Sequence, residues 1–256
     1  MLQLSECRPD PQFHNLAAHG PGSIDVCLLF QEAIAGERFD HLERGISEAE
    51  SARAARFVFP RDKRAYVAAH WLKRRMLSSA DDRVDPLSWQ FENGPHGKPR
   101  VAGRSDLHFN LSHCRGLVAC ALRRNGPVGI DAEFIGRTAP GEVVAYYFAP
   151  AEAAWWQEQP ARENTKAFFK LWTLKEAFVK ATGAGFSQPL QDFSVCVDTL
   201  ALRAGGELAN QSPFWRFHQA EAGHDHLVAL AWKNDTKHED TVAIRIVQPD
   251  ALPRSS

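Results

Sequence analysis

Val128-Gly129-Ile130-Asp131-Ala132-Glu133-Phe134 is the stretch that decides the fold. It follows a polar break, Arg123 to Pro127, that contains Asn125-Gly126-Pro127, and it reads as a strand restarting after turn residues. Side chains two apart on a strand share a face. Asp131 and Glu133 therefore point one way, while Val128, Ile130, Ala132 and Phe134 point the other, and Gly129 leaves room beside the acids. By itself an Asp-x-Glu triplet fits a half-buried strand with a wet polar face as well as it fits a cation site.

Further along the chain, Trp172-Thr173-Leu174-Lys175-Glu176-Ala177-Phe178-Val179-Lys180 lies within an expected helix, Asn164 to Thr182, ended by Gly183. On a helical wheel Phe168, Leu171, Trp172, Phe178 and Val179 form an apolar arc, and Thr173, Glu176 and Lys180 line the adjoining polar side. Glu176 and Lys180 sit four apart on neighbouring turns. That spacing fits an exposed ion pair of roughly 0.2–0.5 kcal/mol, or a metal ligand or base with a phosphate partner beside it. Lys175 falls inside the apolar arc, where it must snorkel or find an acceptor. Asp131, Glu133 and Glu176, with Lys180 a turn beyond, form a set of oxygen ligands for a divalent ion beside phosphates, which points to phosphoryl-transfer chemistry.

Around these motifs both halves mix strands and helices. The first half reads as a strand at Ile24–Phe30 that alternates poorly, then a helix start at Ser47 with Glu50 three residues on. A helix over Arg61–Leu77 follows, then Trp89–Phe91 and Pro99–Val101 flanking a turn-rich loop, Asn93 to Gly97, and a hairpin of Leu107–Leu111 with Leu117–Leu122 around Cys114-Arg115-Gly116. The second half reads as the strand Val128–Phe134, short helices at Glu142–Phe148 and Ala151–Gln157, and the long helix. Strands at Phe193–Val197, Phe214–Phe217, Leu227–Trp232 and Val242–Val247 complete it. This is an α+β pattern, divided into an N-terminal α+β subdomain at 1–126 and a C-terminal one at 127–256. No sequence repeat joins the halves, although the order of elements is similar. The first twenty residues, rich in Pro, His and Gly, read as weakly ordered.

With 256 residues, 44% hydrophobic and 24% charged, the chain can bury one large core or two modest ones. A net charge of −1 leaves the argument about partners to local charge. Met1–Asp10 lacks the pattern of a signal peptide, and no apolar run reaches bilayer length. The five cysteines are scattered and form no CxxC pair, which fits reduced thiols packed as small apolar residues in a cytoplasmic protein.

Other segments carry less. Arg53, Arg56, Arg61, Lys63, Arg64, Lys73, Arg74 and Arg75 crowd one stretch that fits a solvated helix face or a phosphate-binding surface. No aromatic interleaving, helix-turn-helix or zinc spacing accompanies them, so nucleic acid is not the expected partner. Gly94-Pro95-His96-Gly97-Lys98-Pro99 is a tight loop able to cradle an anion, but it is not a Walker loop. Ser112 and His113 are adjacent on a strand, so they face opposite ways and do not form a hydrolase dyad. His224-Asp225-His226 after Gly223 reads as a hairpin turn rather than a metal site.

Taken in order, Arg53 through Arg64, Gly97-Lys98-Pro99, Phe109-Asn110-Leu111-Ser112-His113, Gly129-Ile130-Asp131-Ala132-Glu133 and Trp172 through Lys180 resemble the 4′-phosphopantetheinyl transferases of the large monomeric, Sfp-type class. The resemblance spans roughly Ser47 to Val197. It implies a pseudo-two-fold pair of similar α+β subdomains with coenzyme A between them. It also implies transfer of the phosphopantetheine arm from coenzyme A to a serine of an apo acyl or peptidyl carrier protein, releasing adenosine 3′,5′-bisphosphate. On that pattern Asp131, Glu133 and Glu176 hold Mg²⁺, Glu176 takes the serine proton, and Lys180 contacts the phosphates. Arg53, Arg64, Lys98, Ser112 and His113 bind the nucleotide end. A pseudo-enzyme that only holds coenzyme A, a nucleic-acid-binding protein and a metal-dependent phosphohydrolase are the competing classes. The complete set Asp131, Glu133, Glu176 and Lys180 speaks against the first of these.

Overall fold

A computed structural model describes residues 23–94, 96–234 and 240–252 of the chain. The opening residues expected to be weakly ordered, Cys7, and Pro95 of the tight loop lie outside the described residues. The first half contains β1 (Ser23–Leu29), α1 (Gly36–Arg44), α2 (Glu48–Ala54), α3 (Pro60–Ala80), β2 (Phe91–Asn93), β3 (Pro99–Val101), β4 (Leu107–Cys114) and β5 (Leu117–Arg124). After Pro127 come β6 (Val128–Phe134), α4 (Val144–Tyr147), α5 (Pro150–Gln157), α6 (Asn164–Thr182), β7 (Phe193–Cys196), β8 (Ala201–Ala204), α7 (Gly206–Gln211), β9 (Trp215–Ala222), β10 (His226–Lys233) and β11 (Thr241–Val247).

The architecture is α+β, and the halves repeat one plan. Strand order β1-β5-β4 in the first sheet corresponds to β6-β10-β9 in the second, with a long helix and a small two-stranded ribbon in each (β2 with β3, β7 with β8). β11 joins the first sheet by pairing parallel to β1. The sheets pack face to face through Ile24, Val26, Ala119, Ile130 and Leu230. On the outer side of the first, α3 covers Cys27, Leu29, Val118 and Cys120. On the outer side of the second, α6 covers Ala229 and Ala231 with Phe178 and Ala177. β1 and β5 are thus apolar on both faces, which is why the β1 sequence alternates poorly.

Several elements depart from the sequence expectation. α1 was not expected; its signal is the pair Phe39 and Leu42, both buried one turn apart. The segments flanking the turn-rich loop form the ribbon β2–β3, and Trp89 before it is buried in the core, where it donates Nε1–H to Ser78 Oγ. The segment Glu142–Phe148 is not one helix but a 3₁₀ turn followed by a single α-turn. β8 and α7 fill a stretch that carried no clear periodicity. The Ser47 start is a capping box: Ser47 Oγ accepts from Glu50 N, and Glu50 Oε2 accepts from Ser47 N at 2.9 Å.

The basic stretch is not a solvated face throughout. Lys73 and Arg74 are each 3% exposed and converge on Glu50, at 2.9 and 2.7 Å, with His70 Nδ1 at 2.7 Å. Among the described residues no helix is long and apolar enough to cross a membrane. The described cysteines, Cys27, Cys114, Cys120 and Cys196, are all free.

Candidate active site

The site forms where the edge strands of the two sheets meet. Among the described residues β6 pairs with β10 on one side only, so the amides on its other edge need partners from outside the ladder. β4 supplies them from side chains: Asn110 Oδ1 accepts from Ile130 N at 2.8 Å, and Ser112 Oγ accepts from Ala132 N at 3.1 Å. Asn110 and Ser112 lie two apart on one face of β4. This seam fixes Asp131 between them. Asn110 was not singled out as a site residue, and its spacing from Ser112 is the signal that could have found it.

α6 brings the third component. From Leu171 to Lys180 every residue is buried except Trp172, Glu176 and Lys180, which form one row at a spacing of four. Thr173, expected on the polar side, is fully buried. Its hydroxyl donates to Phe169 O at 2.8 Å and accepts from Gln219 Nε2 at 2.9 Å. Gly129 permits the close approach of the helix: a Cβ there would lie 2.1 Å from Ala177 O and 2.4 Å from Ala181 N.

Lys180 Nζ reaches Asp131 Oδ1 at 2.6 Å and Ser112 Oγ at 3.0 Å, and Ser112 Oγ donates to Asp131 Oδ1 at 3.1 Å. Asp131 is 5% exposed, and its Oδ2 is buried with no hydrogen-bond partner among the described residues. Glu133 is paired with Arg137 at 2.9 Å. Burial, then the Asp131 charge, raises the Glu133 pKa against the pull of Arg137. Burial, then Asp131, raises the Glu176 pKa as well, with Lys180 opposing and Glu133 adding. The acids of β6 and α6 therefore share one electrostatic site. Among the described residues no group of three or more His, Cys, Asp or Glu side chains is already gathered as a metal cluster. Lys180 holds one of the acids and Arg137 another.

Two recesses flank the cluster. One, of about 510 Å³, is lined by Lys98, Asn110, Tyr147, Trp172, Glu176 and Lys180. The other, of about 610 Å³, is lined by Arg61, Asp62, Arg64, His113, Arg115 and Gly116 among others. Ser112 and His113 do face opposite ways: the serine meets Asp131, and the histidine lines the arginine-bearing recess. Burial, then the Lys180 charge, lowers the His113 pKa.

Of the remaining expected residues, Arg64 and Lys98 each line one of these recesses. Arg64 Nη2 donates to Gln31 O and Ile34 O at 3.1 and 2.6 Å, and its guanidinium lies 4.2 Å from the Phe39 ring centroid. Arg53 is exposed on α2, 5.7 Å from the Tyr66 ring centroid, and lines neither recess. Lys98 Nζ donates to Val128 O and Ala181 O. Lys175 finds the acceptor its position demands. It is fully buried and bonds Glu152 Oε2 at 2.5 Å and Phe193 O at 2.7 Å. Glu152 was missed; its place as the third residue of a helix opened by Pro150 is the available signal.

Residues 127–231 match the family model described as the 4′-phosphopantetheinyl transferase superfamily, and residues 35–124 match the one described as 4′-phosphopantetheinyl transferase, N-terminal. The chain is 37% identical over 147 residues to the 4′-phosphopantetheinyl transferase HetI of Nostoc, covering 56% of this chain and 62% of that one. It is 32% identical over 163 residues to a 4′-phosphopantetheinyl transferase of Bacillus subtilis, covering 63% and 70%. Among solved structures it is similar to the Chronobacterium ammoniagenes ACPS–CoA complex, at 22% identity and TM-score 0.33, over 44% of this chain and 100% of that one.

Proposed function

The chain belongs to the 4′-phosphopantetheinyl transferase family, enzymes that move the phosphopantetheine arm of coenzyme A onto a carrier protein, and on that premise we propose how its residues perform the transfer. The observation that carries the reading is the convergence of β4, β6 and α6 on Ser112, Asp131 and Lys180, with Glu176 on the same helix row.

The diphosphate of coenzyme A lies against Lys180 and Ser112, whose donors then turn from Asp131 to phosphate oxygens. Asp131, Glu133 and Glu176 would hold a divalent ion, Mg²⁺. The fit rests on an all-oxygen donor set, on the partnerless Oδ2 of Asp131, and on two glutamates whose raised pKa values a nearby cation would relieve. The ion, when bound, neutralises charge on the diphosphate and orients it for in-line attack. Glu176 takes the proton of the carrier serine. The serine oxygen bonds the phosphorus next to the pantetheine, and the bond from that phosphorus to the bridging oxygen breaks. Adenosine 3′,5′-bisphosphate leaves, with Lys180 beside the charge that develops on it. His113, Arg64, Arg61 and Arg115 receive the nucleotide's 3′-phosphate in the arginine-bearing recess, while Arg53 offers charge at longer range.

The repeated element order supports a division at 126/127, with β11 lent by the second half to the first sheet. Both halves of the site come from one chain, which supports action as a monomer, and the free thiols of the described cysteines support a cytoplasmic location. The test is incubation of the purified protein with coenzyme A, Mg²⁺ and a panel of apo acyl and peptidyl carriers, read by intact mass. One carrier gaining one phosphopantetheine, and losing that gain with EDTA, is the expected result. No gain on any carrier would sink the reading, and an EDTA-resistant gain would sink the metal.

A further inference from the structure

Lys98 lies between β2 and β3, in the first half of the chain, yet its ammonium ends in the second. Nζ donates to Val128 O at 3.0 Å and to Ala181 O at 3.2 Å. Val128 opens β6, the strand that carries Asp131, and Ala181 follows Lys180 in the last turn of α6. Between those two carbonyls runs the tightest seam of the site, where Gly129 meets the backbone of Ala177 and Ala181. Gly183, in the left-handed region at φ 71°, turns the chain off the helix directly over the lysine stem. A Cβ on it would lie 3.3 Å from Lys98 Cδ. Burial pulls the Lys98 pKa down to about 8.

We propose that Lys98 is a positioning residue, which fastens the C-terminal end of α6 to the start of β6 and so fixes where the helix presents Lys180 beside Asp131, rather than a ligand of the substrate's phosphates. The proposal rests on the transferase reading above. Its physics is that of helix ends. The last carbonyls of a helix have no intrahelical partner and carry partial negative charge, and a lysine there satisfies both the bond and the dipole. Ala181 O is one of those carbonyls. By bonding Val128 O with the same ammonium, Lys98 ties strand and helix together on the far side of Gly129. Lys180 and Asp131, each attached to one of the tied segments, are thereby set at 2.6 Å. An ammonium has three donors, and two of these already point into the protein.

The test uses Lys98→Met and Lys98→Gln in the full chain. Three quantities are measured: the coenzyme A dissociation constant by calorimetry, the single-turnover transfer rate at saturating coenzyme A, and hydrogen exchange of the amides over 179–184. For Lys98→Met the dissociation constant is expected to stay within about threefold of wild type while the rate falls roughly 10- to 100-fold, because a tie acts on the reacting geometry and not on affinity. Exchange over 179–184 is expected to quicken. Gln is neutral but can donate two N–H bonds, so Lys98→Gln is expected to recover part of both the rate and the protection. A dissociation constant raised about tenfold or more with rate and exchange unchanged would overturn the proposal, as would Gln behaving like Met, since a phosphate ligand needs the charge. Should the Met variant fail to fold, the Gln variant decides by the same split between affinity and rate. A wild-type protein inactive on every carrier would refute the transferase reading alone. The exchange measurement would still pass judgement on the tie.

Discussion

Glu176 and Glu50 show how neighbours, more than residue type, set the behaviour of a carboxylate. Glu176 sits in the open row of α6, where burial, then the Asp131 charge, raises its pKa. Glu176→Gln is expected to slow transfer by roughly 10²- to 10⁴-fold with the affinity for coenzyme A held, as read by single-turnover mass assay and calorimetry. A wild-type rate would remove Glu176 from the mechanism. Glu50 is the opposite case. Burial alone would raise its pKa, but hydrogen bonds from His70 and Arg74 and the Lys73 charge hold it well below the usual carboxylate range. The native state therefore binds fewer protons than the unfolded state in acid, so this contribution is present above the unfolded pKa and is lost as pH falls. Glu50→Gln is expected to cost about 3–5 kcal/mol at pH 7, because it leaves buried cations short of a partner. It is also expected to flatten the loss of stability that the wild type shows below about pH 5. Urea midpoints across pH 7 to 4 check both statements, and parallel curves for the two proteins would contradict the assignment.

At the scale of elements, the seam of α6 against β6 carries the site. Gly129→Ala is expected to cost about 3 kcal/mol or more, since the methyl group meets backbone on both sides and cannot be accommodated by a rotamer change. Transfer activity is expected to fall with it. Unchanged urea midpoints would mean the helix can shift freely. Another side of α6 is pinned by Lys175 and Glu152. Glu152 also accepts from Ala149 N and Val195 N, at 2.9 and 2.8 Å, so one carboxylate joins α5, α6 and β7. Lys175→Met is expected to destabilise by about 3–5 kcal/mol by stranding Glu152, and adding Glu152→Gln is expected to restore part of that loss. A double variant less stable than the single one would refute the pairing.

In the whole molecule the halves are interleaved rather than strung together. β11 crosses back to β1. The buried pair Arg123–Asp240, with Trp232 Nε1 donating to Asp240 Oδ2 at 2.7 Å, locks β5, β10 and the approach to β11. Unfolding is expected to be a single transition, with far-UV circular dichroism and tryptophan fluorescence coinciding in urea. Two separated transitions would show that the halves are independently stable.

Local chemistry made much of this legible from sequence. The strand Val128–Phe134 and the helix Asn164–Thr182 were delimited to the residue, because their ends are marked by Pro127 and Gly183 and their interiors keep one period. The face shared by Asp131 and Glu133 followed from the pleat, and the need of Lys175 for an acceptor followed from its place in an apolar arc. What stayed hidden depends on contacts between distant segments. Sequence could not show that Asn110 and Ser112 cap the free edge of β6, that Glu152 answers Lys175, that Thr173 turns inward to Gln219, or that Lys98 ends on Val128 and Ala181. A period tells which side of an element a residue is on. Only the packing of one element on another tells what stands on that side.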